Sequence, residues 1–124
     1  MEYILIMIGG GLGAVSRYFL SNYINRSFPF DFPSGTLFVN SVGSFILVFF
    51  LILSIEKLSI DPVWRLFFAV GFLGAFTTFS TFSYETIILF QDGEYAKALL
   101  NIILNNVVSL TAGVSGLMIA RAVT

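Results

Sequence analysis

The chain has 124 residues, of which 57 % are hydrophobic and 10 % charged, with a net charge of −1 and a mean hydropathy of +0.95. Soluble domains carry about 25 % charged residues, so the class is an integral membrane protein, and the length allows one domain. Cysteine and histidine are both absent, which removes disulfides, thiolate and imidazole catalysis and the commonest metal ligands. No nucleophile–base pair or metal cluster can then be assembled, no enzyme is expected, and nucleic acid meets no basic face.

A helix crossing the hydrocarbon needs about 20 mostly apolar residues. The first stretch that qualifies covers about residues 3–23 and is interrupted by Arg17. Acidic Glu2 before an apolar run does not resemble the positive leader of a signal peptide, so a retained first span is expected. Gly9, Gly10, Gly11 and Gly13 lie in it, with Gly9 and Gly13 at the spacing that lets helix backbones approach closely. A phosphate loop is the poorer reading, since no strand precedes these glycines and no lysine follows. The loop RSFPFDFPS leads to an uncharged second stretch, about 35–55, holding Asn40, Ser41 and Ser44. Asn40 and Ser44, four apart, share a helical face.

After EKLSIDPVW comes the third stretch, about 66–88. Its middle reads TTFSTFS from Thr77 to Ser83, five hydroxyls around Phe79 and Phe82, and Glu85 is the only acid well inside an apolar stretch. The turn-like QDGEY precedes an uncharged fourth stretch, about 98–120. It carries Asn101, Asn105 and Ser109 at successive spacings of four, with Asn106 and Thr111 close by.

Polar groups at membrane depth need internal partners or a wet cavity. The hydroxyl run alone fits either glue between helices or an ion path. Donor-rich, uncharged stripes on three spans favour a shared polar track. Amides, hydroxyls and the positive edges of phenylalanine rings suit an anion, and the lack of fixed charge allows the weak holding that conduction needs. Lys57, Arg65 and Arg121 fall on the side of the termini, against Arg26 and Lys97 on the other, with Arg17 added there if it snorkels outward. So even a score leaves a single fixed topology or an antiparallel, dual-topology homodimer open, and the need to enclose a path favours the dimer. Arg17 and Glu85, the deepest charges, read as a structural ion pair or as a vestibule that draws anions in.

GGGLGAVSRY, GTLFVNSVGSF and GFLGAFTTFSTFSYE, in that order and spacing, together with the polar fourth span, resemble the Fluc (CrcB) fluoride channel family over nearly the whole chain. The resemblance implies an all-α dual-topology homodimer in the cell membrane. It would carry fluoride passively through two antiparallel pores and relieve fluoride toxicity. By matching position, Asn40, Phe79 and Phe82 stand along the pore, Thr81 and Ser109 supply hydroxyls, and Arg17 and Glu85 lie toward a vestibule or pore entrance. The third helix would be broken near its centre, and the Gly74 and Thr77 carbonyls would hold a structural sodium ion on the dimer axis. Gly71, Gly74 and the following hydroxyls supply a physical reason for such a break. Two rivals remain: a proton-coupled small multidrug-type transporter, which would have to rest on Glu85, and a non-transporting assembly subunit.

Overall fold

The computed structural model of the chain describes residues 1–28 and 31–123; Pro29 and Phe30 of the first loop, and Thr124, lie outside them. Five helical elements account for nearly all of these residues. They are α1 (Glu2–Ser27), α2 (Ser34–Ile52), α3 (residues 62–76), α4 (Phe79–Gln91) and α5 (Tyr95–Ala122). A π-helical end, Leu53–Lys57, continues α2. Within α3, α-helical Pro62–Trp64 and Gly74–Phe76 flank the π-helical Arg65–Leu73. Among the described residues there is no strand.

Four stretches, Glu2–Ser27, Ser34–Lys57, Pro62–Gln91 and Tyr95–Ala122, are long and apolar enough to cross a membrane, and the protein is a multi-pass membrane protein. Each runs a few residues beyond the apolar limits expected from sequence. A helix bonds its own backbone wherever it lies, so it continues into the headgroup zone until a capping or turn residue stops it. Asp61 starts α3 by accepting from the Val63 amide at 3.0 Å, with Pro62 in the first turn. Gly93, at φ 77°, lets the chain reverse between α4 and α5. At the mouth of α2, the Gly35 amide donates to Asn25 Oδ1 at 2.8 Å.

Two helix pairs dominate the packing, α1 against α3 and α2 against α5. Both are glycine seams. A Cβ on Gly9 would strike the Phe67 carbonyl oxygen and one on Gly13 that of Phe72, while one on Gly71 would meet the Ile6 carbonyl oxygen at 2.9 Å. On the other pair, a Cβ on Gly116 would sit 2.6 Å from the Phe45 carbonyl oxygen. Lipid offers no hydrophobic drive between helices, so this backbone-to-backbone approach and the dispersion it gains hold them together. Phe68, Phe72 and Phe76 stack along α3 at centroid spacings of 5.7 and 5.9 Å. The stack ends where the backbone leaves helical geometry: Thr77 has φ −91°, ψ 155° and Thr78 φ −151°, ψ 122°. Helical geometry resumes at Phe79.

Candidate functional site

The two extended residues are held from both sides. Asn40 on α2 pairs with the Thr78 backbone as a strand would: its Oδ1 accepts from the Thr78 amide at 2.7 Å, and its Nδ2 donates to the Thr78 carbonyl at 3.0 Å. From α1, Arg17 Nε donates to the Ala75 carbonyl at 3.0 Å, an oxygen that a continuous helix would give to the Phe79 amide. The Thr78 hydroxyl caps α4, accepting from the Thr81 amide at 3.1 Å. Thr77 donates its hydroxyl back to the Leu73 carbonyl at 3.2 Å.

This anchoring places the first turn of α4 over a groove of about 240 Å³ between α2 and α5, lined by Asn40, Ser44, Thr77, Thr78, Phe79, Phe82, Asn105, Asn106 and Ser109. No charged side chain is among them. The Phe79 and Phe82 rings meet at 5.4 Å between centroids and 59° between planes. Phe82 is buried, whereas Phe79 is 75 % exposed on the open side of the groove. Ser109 Oγ is buried and has no hydrogen-bond partner. A second groove shares Phe79, Phe82 and Asn106 and continues past Ser83 and Thr86. A third shares Ser44 and Ser109 and runs on toward Leu117. The three follow one another along the same face of the bundle.

Four of the five residues that the family resemblance set along the pore, Asn40, Phe79, Phe82 and Ser109, thus line one groove together with Thr77 and with Ser44, Asn105 and Asn106 of the polar stripes. Thr81 is not among the lining residues, and its hydroxyl accepts from Thr78 Oγ1 at 3.1 Å. Gly74 sits three residues before the extended pair, in the last helical turn of α3. The expected ion pair between Arg17 and Glu85 is not formed. Arg17 takes the Ala75 carbonyl, and Glu85 Oε2 accepts from Thr36 Oγ1 at 3.0 Å, with Oε1 buried and unpartnered. Each found a nearer partner that only the three-dimensional path of the chain supplies. Glu85 lines a separate cleft of about 430 Å³ with Asn25, Asp31, Tyr84, Asp92 and Glu94, at the loop end of the bundle.

Sequence reading missed Thr78, Thr36 and Thr86. Thr78 was visible only as one hydroxyl among five, although an Ser/Thr ahead of a polar turn is the signature of a helix N-cap. Among the described residues no cluster of three carboxylates could hold a metal ion.

A family model described as CrcB-like protein, Camphor Resistance (CrcB), matches residues 4–117. The chain is 51 % identical over 120 residues to a fluoride-specific ion channel FluC of Sulfurihydrogenibium sp. (strain YO3AOP1), covering 97 % of each chain. To proteins of the same name it is 47 % identical in Thermosipho melanesiensis and 40 % identical in Koribacter versatilis, in both cases over 98 % of this chain and 97 % of the relative. With the model spanning all four membrane stretches and such relatives matching from end to end, the chain belongs to the CrcB-like family.

Proposed function

We propose that the protein is a passive, fluoride-selective ion channel that lets fluoride leave the cytoplasm down its electrochemical gradient and so limits its toxicity. The observation that carries this reading is the uncharged groove lined by two phenylalanine rings, by Asn106 and by Ser109, whose hydroxyl lies buried in the groove wall without a partner. Ring edges carry partial positive charge and the hydroxyl can donate, so both can replace water around a small anion without trapping it. The names of the relatives, fluoride-specific ion channel FluC, agree with that chemistry. A drug–proton exchanger would need its carboxylate in the path, whereas Glu85 lines a different cleft.

The path needs a second copy. Phe79 and Asn106 lie exposed beside the groove, and a polar groove open to hydrocarbon is costly. A homodimer, antiparallel as the even charge score suggests, would close one such groove on each subunit and give two pores. In that dimer the Thr77–Thr78 interruption of the third span is a functional break. Among the described residues no hydrogen bond at the break ends on the Gly74 or Thr77 carbonyl, whereas those of Leu73, Ala75 and Thr78 are taken. Hard carbonyl oxygens fit a sodium ion, and these two would hold it as a structural tie between subunits. Arg17 and Glu85 then flank the path rather than line it.

The test is ion efflux from liposomes holding the purified protein. Fluoride efflux with little chloride efflux, unaffected by collapsing a proton gradient, is expected. Absence of fluoride flux under every imposed gradient refutes the reading.

A further inference from the structure

Six residues, on three helices and the extended Thr78 between them, form one hydrogen-bond circuit, and backbone atoms fix its direction at both ends. The Thr78 amide can only donate and the Thr78 carbonyl only accept, so Asn40 must turn Oδ1 to the first and Nδ2 to the second. The other Nδ2 hydrogen of Asn40 reaches Asn105 Oδ1 at 3.1 Å. Asn105 is thereby obliged to present Nδ2 to Asn101, whose carbonyl oxygen and Oδ1 accept at 3.1 and 2.9 Å. Asn101 in turn presents Nδ2 to Thr86 Oγ1 at 2.9 Å, and the Thr86 hydroxyl donates to the Phe82 carbonyl at 2.8 Å. That carbonyl, like the Thr78 amide, cannot reverse. Turning any one amide over would set donor against donor or oxygen against oxygen at its neighbours.

The circuit leaves α4 at Thr78, crosses α2 and α5, and returns to α4 one turn later at Phe82. It encloses the turn that carries Phe79 and Phe82. Asn101 is completely buried and Thr86 is 7 % exposed. The circuit also uses every side-chain amide hydrogen of Asn40 and Asn105, so neither has a donor left over for the groove they line.

We propose that Asn101 and Thr86 are positioning residues for the anion path: through Asn105 and Asn40 they hold the extended Thr78 backbone, and through the Thr86 hydroxyl they hold the Phe82 carbonyl, so that the two rings keep their place. This rests on the channel reading above for its effect on transport, but the circuit itself can be read without transport. Its test is amide hydrogen exchange of the protein in lipid nanodiscs, beside fluoride and chloride efflux from liposomes. In the wild type the Thr78 amide, although outside a helix, exchanges slowly. Thr86→Val and Asn101→Leu each speed exchange at residues 78–82 by about three- to thirtyfold, the span that one interhelical hydrogen bond covers, and lower the fluoride-to-chloride flux ratio within that range. Thr86→Ser, which keeps the hydroxyl, stays at the wild-type value in both. Should Thr86→Val not assemble, Thr86→Ala removes the same hydroxyl with a smaller side chain. Fast exchange of Thr78 in the wild type, or unchanged exchange at residues 78–82 in the variants, overturns the proposal even if fluoride flows. Coupled exchange in a protein that carries no fluoride upholds the circuit and refutes its role in an anion path, together with the channel reading.

Discussion

Replacing Asn40 by aspartate exchanges one NH₂ for an oxygen at nearly constant volume, and so tests the polarity of the groove rather than its packing. The new carboxylate can still accept from the Thr78 amide, now at 2.7 Å. It cannot donate to the Thr78 carbonyl at 3.0 Å or to Asn105 Oδ1 at 3.1 Å, and both contacts become oxygen facing oxygen. Asn105 could turn its amide to answer the second, but it would give up its two bonds to Asn101. The Thr78 carbonyl cannot turn at all. Two interhelical bonds at about 0.6 to 2 kcal/mol each put the loss at about 1–4 kcal/mol. The negative charge also stands beside the path proposed for an anion. The expected outcome is a lower unfolding midpoint in mild detergent and a collapse of fluoride efflux from liposomes. Acidification should recover part of both, because the protonated carboxyl regains one donor. A variant with the wild-type midpoint and wild-type flux at neutral pH would refute this account of Asn40.

Two further predictions separate packing from transport. Gly13→Ala drives a Cβ into the Phe72 carbonyl oxygen, while Gly11→Ala meets nothing within 4 Å. Overpacking of about 1–3 kcal/mol should therefore outweigh the helix-propensity gain of up to about 1 kcal/mol at Gly13, leaving Gly11→Ala neutral or stabilising in the same unfolding assay; equal effects would dismiss the seam. Ser109→Ala removes a buried hydroxyl that has no partner. It should leave stability unchanged or raised, since an unsatisfied buried polar group costs about 1–3 kcal/mol, yet fluoride efflux should fall; unchanged efflux would remove Ser109 from the path.

Much of the bundle could be read from the chain because membrane constraints are blunt. Apolar length set the four spans, and hydrocarbon forces glycine to face glycine or backbone, as Gly9, Gly13 and Gly71 do. The stripe Asn101, Asn105, Ser109 was legible as a periodicity, and it does face α2 and α4. What could not be read were pairings that depend on where a helix stops. Arg17 and Glu85 suggested each other by charge alone, but a carbonyl released at Ala75 is a closer partner than a distant carboxylate, and Thr36 reaches Glu85 across 49 residues of sequence. The nine-residue π-helical stretch of α3 likewise has no signature in residue type; in it the backbone of Phe67 and Phe72 packs against Gly9 and Gly13 of α1.

The two half-helices that meet at Thr77 and Thr78 do not present equal ends. Aligned peptide dipoles leave about half a negative charge at the C-terminus of α3 and about half a positive charge at the N-terminus of α4. Arg17, docked on the Ala75 carbonyl, answers the negative end with a full cation. The groove lining at the positive end, with Thr78, Phe79 and Phe82, includes no charged side chain. In the pore proposed here, the backbone itself would tilt the local field in that groove toward anions, with the balancing cation stationed on α1 at the opposite half-helix. An anion entering there would meet attraction without a fixed charge that could hold it in place.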